Sequence, residues 1–314
     1  MAAARRLDEL EARYVSNGEA FFHVSGAGHE ASCVLASFLN ESDWLHLHYR
    51  DKAFMLARGL APEQFFHSLF CNAESHSAGR QMSAHLSDPA LKLLSLVGPV
   101  GNNALQAVGV AAEIKAQPER PLVVCANGDG TTQQGEVLEA IAEAVRETLP
   151  VLFFVHDNAL AISTDTRGKT FYDLPDGAPD VYYGLPIHRI DGRSPQDCAA
   201  VLEQVVSAMR QDRKPAIVVM AAERLTSHTN ADDETVYRSD ETREHAKRTG
   251  DPILNFVEHL KAQGHDEKQL TDTVAKAKAW VEAAADTACQ GTIPATPQVR
   301  STCLLYTSPS PRDA

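Results

Sequence analysis

Two short apolar runs, Leu122-Val123-Val124-Cys125 and Val151 to Val155, enclose a stretch in which Val137, Leu138, Ile141, Ala142 and Val145 recur at helical spacing. Unbroken apolar runs of this length read as strands buried on both faces, and the spacing between them as an amphipathic helix. The segment therefore predicts a strand–helix–strand crossover with parallel strands. Trp44 to Tyr49, His188-Arg189-Ile190 and Ala216 to Ala221 read as further strands. Helical periodicity covers residues 1–20, 30–40 (stopped at Asn40), Asp51 to Gly59, Ala104 to Ala116, and Pro195 to Gln211 ahead of Pro215. From Asp251 onward only helices are expected. The first has Pro252 in its opening turn and Ile253, Phe256, Val257 and Leu260 on one face; the second runs from Glu267 to Ala285 with Val274, Ala277 and Val281 as its stripe. Residues 72–98 are polar, Gly- and His-bearing and without periodicity, which suits a functional loop region, and Thr164 to Gly184 also reads as loop. No internal repeat is present. The fold class expected is α/β, a mainly parallel sheet flanked by helices, with helices closing the chain.

Composition narrows this picture. The chain has 314 residues, 44% hydrophobic and 23% charged, enough for one large α/β domain or two small ones. A net charge of −13 argues against nucleic acid as a main partner. The six cysteines are scattered with no CxxC pair, so a disulfide framework is not expected and reduced thiols are. The N-terminal MAAARRLDELEARYV is an amphipathic, partly acidic helix rather than a targeting segment, and no apolar run is long enough to cross a membrane. Cytoplasm is the expected location. Residues 1–291 are read as the domain and 292–302, containing TIPATPQVR, as a linker. The last twelve residues, CLLYTSPSPRDA (303–314), resemble the conceptual translation of a transposon-type sequencing adapter and are excluded from fold reasoning.

The chemistry sits at the ends of the crossover strands. Gly128-Asp129-Gly130 follows the first strand and Asn158 the second, so the crossover returns a carboxylate and an amide to one sheet edge. Two oxygen ligands there suit a hard cation that also holds phosphate, the usual way magnesium is bound. The glycines allow backbone to approach a phosphate closely. Gly-Asp-Gly alone is also an ordinary turn, so a plain crossover with a polar turn stays open. A nicotinamide site is disfavoured, since no G-x-G-x-x-G follows this strand.

Several separated blocks strengthen the first reading. Gly128-Asp129-Gly130 with Asn158 resembles the thiamine-diphosphate motif. Gly28-His29-Glu30-Ala31, Tyr49-Arg50-Asp51, Gly79-Arg80-Gln81-Met82, Gln106-Ala107-Val108-Gly109, and Ser227-His228-Thr229 ahead of Asp232-Asp233 and Tyr237-Arg238 follow a recognisable order. Together they resemble, over roughly residues 10–290, the alpha subunit of thiamine-diphosphate-dependent 2-oxo acid dehydrogenases, with a lean toward the branched-chain (2-oxoisovalerate) type. The resemblance implies a thiamine-diphosphate-binding fold and a cofactor lying between alpha and beta chains. It implies oxidative decarboxylation of a 2-oxo acid, with acyl transfer to lipoyl groups of an acyltransferase core. It also implies Mg2+ held by Asp129, Asn158 and the Leu160 carbonyl, and a cofactor contacted by Tyr49, Arg50, Val100, Gly128, Gly130, Arg224 and His228. Of these, His228 is the residue implied in catalysis, an imidazole that titrates near neutral pH. The carboxylate that activates the cofactor is implied to come from a beta subunit or fused beta half, in an assembly of two alpha and two beta chains. In animal relatives the His228 loop carries regulatory phosphorylation sites, and here Thr229 follows the histidine.

Three positions depart from the pattern. Asp157 precedes Asn158 where relatives have a second asparagine, and His156 stands where branched-chain relatives carry an arginine directed at the diphosphate. Val100 falls where relatives place a bulky prop for the bent cofactor. A pyruvate or acetoin dehydrogenase alpha chain, and a non-catalytic subunit that kept the fold, remain the alternatives.

Overall fold

The computed structural model describes residues 1–294; the greater part of the expected linker and the whole 303–314 segment lie outside the described residues. A central six-stranded sheet orders the domain. Its strands are β1 (Trp44–His46), β2 (Val123–Gly128), β3 (Val151–Asp157), β6 (Val181–Tyr182), β7 (Leu185–Asp191) and β8 (Ala216–Ala221), arranged β1-β2-β3-β8-β7-β6. All neighbours are parallel except β6, which pairs antiparallel at one edge. The remaining strands, β4 (Leu160–Ala161) and β5 (Thr164–Asp165), form a small hairpin beyond β3.

Alternation along the central strands builds two cores. Val123 and Cys125 of β2 face a cluster with α4 (Asn102–Ile114) and α5 (Gly135–Arg146), while Val124 and Ala126 face the cluster on the other side. That second core draws on α1 (Ala2–Ser16), α2 (Lys52–Ala57), α3 (Pro62–Leu69), α6 (Pro195–Asp212) and α9 (Glu267–Ala288). Helices thus cover both faces, as a parallel sheet requires. Among the described residues the two other α-helices are α7 (Asp240–Thr249) and α8 (Pro252–Ala262).

Some elements differ from the expectation. Glu30–Phe38 is a 3-10 helix rather than an α-helix, and the segment expected as loop after Thr164 contains β6. Neither α3 nor α7 is among the helices expected from sequence, although Phe65, Phe66 and Leu69 give α3 a buried apolar face at helical spacing. α7 buries only Ala246, so it has no apolar stripe; it is set by Ser239, whose hydroxyl caps the Thr242 amide. The 72–98 region holds no helix or named strand, only bridges such as Leu45 with Leu93.

Candidate active site

Because β1, β2, β3 and β8 run parallel, their carboxyl ends share one edge, and the loops leaving them meet there. Residues 47–50 leave β1, 129–134 leave β2, 158–162 leave β3 and 222–228 leave β8. A cleft of about 280 Å³ opens between the first three and the tip of the fourth. Tyr49, Arg50, Val100, Gly128, Asp129, Gly130, Asn158, Leu160 and His228 all line it. Larger hollows lie between β7 and α6 (about 440 Å³) and between α1 and residues 226–230 (about 610 Å³). The smaller cleft is favoured by its chemistry: a buried carboxylate, an amide, a guanidinium and imidazoles converge on it.

Asp129 is 3% exposed, and among the described residues its one side-chain hydrogen bond comes from Thr166, whose hydroxyl donates to Oδ2 at 2.6 Å. Burial raises its pKa against the opposing effect of Thr166 and nearby backbone amides. A carboxylate destabilised by burial and forming no ion pair among the described residues is suited to a metal ion. Gly130 permits the close approach of the loops after β2 and β3, since a Cβ there would meet the Ala161 Cβ at 2.5 Å. The 158–162 loop is tightly bent, with Ala159 and Ile162 both left-handed at φ 59° and 58°. Asn158 Oδ1 accepts from the Leu160 amide at 3.1 Å, and Nδ2 lies 3.0 Å from His29 Nε2. The donor set (carboxylate, amide oxygen, backbone carbonyl) fits a hard divalent cation.

On the opposite wall, Arg50 is 4% exposed and donates to the Ser25 carbonyl and, at 2.7 Å, to His228 Nδ1. Its guanidinium also lies 5.3 Å from the centre of the Tyr49 ring, and the His48 ring packs against Tyr49 at 3.8 Å between centroids. Burial, then the positive charges of Arg50 and Arg224, push the His228 pKa down to about 4, so the imidazole is neutral near pH 7. With Nδ1 accepting from Arg50, the ring proton belongs on Nε2. Asp232 orders this loop by accepting from the His228 amide at 2.7 Å and from the Tyr237 hydroxyl, while Asp233 caps the short turn at Glu234–Val236.

One implied contact, Arg224, and one departure from the family pattern, His156, lie outside the cleft lining. Arg224 does not line the cleft: 1% exposed, it donates to the Ile162 carbonyl at 2.8 Å and to the Tyr237 hydroxyl, bracing the 158–162 loop from behind. His156 is also beneath the cleft, its Nε2 3.0 Å from Asp51 Oδ1, so it does not take up the direction expected of an arginine there. Val100 reaches the cleft and is 40% exposed rather than packed inside.

Sequence reasoning missed His48, Thr131, Gln134 and Thr166, and gave His29 only as part of a block. His48 directly precedes Tyr49-Arg50 and lines the cleft, and burial drives its pKa well below the usual histidine value. The Gly28-His29-Glu30 block is locked against the loop after β8. A Cβ on Gly28 would lie 1.7 Å from the Glu223 carbonyl oxygen, and Glu30 is gripped by Arg5 at 2.6 Å and by the Gly28 amide at 2.8 Å.

A family model described as "Dehydrogenase E1 component" matches residues 1–296. The chain is 29% identical over 278 residues to the 2-oxoisovalerate dehydrogenase subunit alpha of Bacillus subtilis (strain 168), covering 87% of this chain and 83% of that protein. It is 31% identical over 285 residues to the 3-methyl-2-oxobutanoate dehydrogenase subunit alpha of Mycobacterium tuberculosis (strain CDC 1551 / Oshkosh), covering 88% and 73%. With the mitochondrial 2-oxoisovalerate dehydrogenase subunit alpha of Bos taurus it shares 26% identity over 269 residues, covering 84% and 58%. The chain belongs to the dehydrogenase E1 component family.

Proposed function

We propose that this chain is the alpha side of a thiamine-diphosphate-dependent dehydrogenase of branched-chain 2-oxo acids, active only when a beta chain completes the site. The observation that carries the reading is the buried Asp129 carboxylate, which forms no ion pair among the described residues and shares one cleft with Asn158, Leu160 and Arg50. Magnesium would be held by Asp129, Asn158 and the Leu160 carbonyl, with Tyr49 and Arg50 holding the diphosphate from the facing wall. Val100 would limit the depth of the cleft. Bound thiamine diphosphate supplies the electron sink for loss of carbon dioxide from a 2-oxo acid.

The chain's own residues do the rest by position. Arg50 is fixed at Ser25 and His228, so its remaining donor capacity needs little reordering to meet an anion. His228, neutral and protonated on Nε2, is suited to donate a hydrogen bond to a substrate or acyl-acceptor oxygen. A proton-abstracting role is disfavoured by its low proton affinity. The carboxylate that activates the cofactor would come from the beta chain, and the acyl product would pass to a lipoyl-bearing acyltransferase. Two alpha and two beta chains are the expected assembly, in keeping with a site shared across an interface.

The test is carbon dioxide release by the chain co-expressed with its beta partner, supplied with Mg2+ and thiamine diphosphate. Turnover of 2-oxoisovalerate well above that of pyruvate is expected. Preference for pyruvate would reassign the substrate, and absence of turnover with either despite intact assembly would overturn the reading.

A further inference from the structure

The amide of Asn158 can be oriented without ambiguity. The Leu160 N–H only donates, so the Asn158 atom 3.1 Å from it must be the oxygen. The amide nitrogen then lies 3.0 Å from His29 Nε2, and because an amide nitrogen only donates, Nε2 must be the bare, accepting nitrogen of the ring. Asn158 and Leu160 line the cleft and His29 does not, so the amide nitrogen is paired with a residue outside the cleft lining and the oxygen with one that belongs to it.

His29 cannot easily turn out of this role. It is fully buried, between a glycine pressed on the Glu223 backbone and a glutamate fixed by Arg5, with the His156 ring 5.9 Å away between centroids. Its partner is far off in the chain, so the contact is made by the fold and not by the loop that carries Asn158. We propose that His29 is a positioning residue for cation binding: by accepting from Asn158 Nδ2 it holds the amide with its oxygen facing the cleft. Without an acceptor at that point only the Leu160 amide still holds the orientation, and the flipped amide, whose nitrogen cannot ligate a cation, gains population. This rests on the reading of Asn158 as a metal ligand.

The probe is Mn2+, titrated by electron paramagnetic resonance into the full chain assembled with its beta partner and saturated with thiamine diphosphate. The variants are His29→Leu, which removes the acceptor, His29→Gln, which retains an acceptor oxygen, and Asp129→Ala as reference. His29→Leu is expected to weaken Mn2+ binding by about 10- to 100-fold, with His29→Gln within about threefold of wild type. Wild-type affinity in His29→Leu, or an equal loss in both His29 variants, would overturn the inference. If instead Asp129→Ala keeps its Mn2+, the metal reading itself fails. Should His29→Leu not assemble, the wild-type enzyme decides through its 15N-labelled histidine ring resonances. A proton on Nδ1 with bare Nε2 supports the proposal, and a proton on Nε2 overturns it.

Discussion

Two groups of buried charge in this chain are built in opposite ways. Behind Arg50, the Lys52 ammonium is 1% exposed and sits 2.5 Å from Asp8 Oδ1, also bonded to Glu11, whose Oε2 lies 2.9 Å from His23 Nδ1. Asp8, Glu11 and His23 are spaced as metal ligands would be, but the ammonium already supplies their cation. Burial alone would lower the Lys52 pKa, and the two carboxylates reverse it; burial alone would raise that of Asp8, and Lys52 and His23 reverse it. At the cleft burial wins, and the Asp129 pKa stays raised. The first cluster is closed by direct ion pairs within the chain, whereas among the described residues Asp129 has only the more distant charge of Arg50. A buried carboxylate in a cleft with a raised pKa is the signature of a candidate ligand site.

The two clusters are mechanically joined. Asp8 Oδ2 accepts from the Ser25 hydroxyl at 2.9 Å and from the Gly26 amide at 2.6 Å, and the Ser25 carbonyl is the one that fixes Arg50. The ion-paired cluster thus anchors the wall of the cleft.

The sharpest way to break this contrast is to remove a charge from each cluster and measure unfolding in urea. Lys52→Met strands two buried carboxylates and should cost about 3–5 kcal/mol. Asp129→Ala removes a carboxylate that burial already disfavours and that forms no ion pair among the described residues, leaving chiefly the Thr166 hydroxyl without its acceptor, so the cofactor-free protein should lose no more than about 1–2 kcal/mol. Equal losses would erase the distinction.

A smaller effect is expected with pH. The unfolded chain protonates its histidines near pH 6.5, and His228 when folded only near pH 4. Between those values the unfolded state binds more protons, so stability should fall as pH drops through the window. Thermal midpoints of the cofactor-free protein from pH 7 to 4 should show a shallower decline in His228→Gln than in wild type. Asp8 acts in the same direction at lower pH, since its depressed pKa stabilises the fold above the ordinary aspartate value and that stability is lost below it.

The smallest effect concerns the bent ligand loop. Ala159 holds a left-handed backbone at φ 59°, so Ala159→Gly should leave stability unchanged or raise it by up to about 1 kcal/mol. A clear loss in a thermal melt would mean that the Ala159 side chain contributes packing that offsets its strain.

Much of the scaffold was legible because buried parallel strands leave continuous apolar runs. Val151 to Val155 and Ala216 to Ala221 are such runs, and both are central strands. α7 was invisible for the converse reason, since a helix burying one alanine writes no period. At the site, Asp129 and Asn158 could be brought together from sequence because a crossover must return its strand to the same edge. The pairing of His29 with Asn158, of Thr166 with Asp129, and the withdrawal of Arg224 behind the Ile162 carbonyl depend on how distant loops pack. No local pattern encodes those contacts.

The central claim is that Asp129 and its neighbours form the cation and diphosphate site. Calorimetric titration of thiamine diphosphate into the cofactor-stripped alpha–beta assembly tests it most directly. Saturable binding with Mg2+, lost on chelation and equally lost in Asp129→Ala, is the predicted result. Binding that survives both chelation and Asp129→Ala would contradict the account.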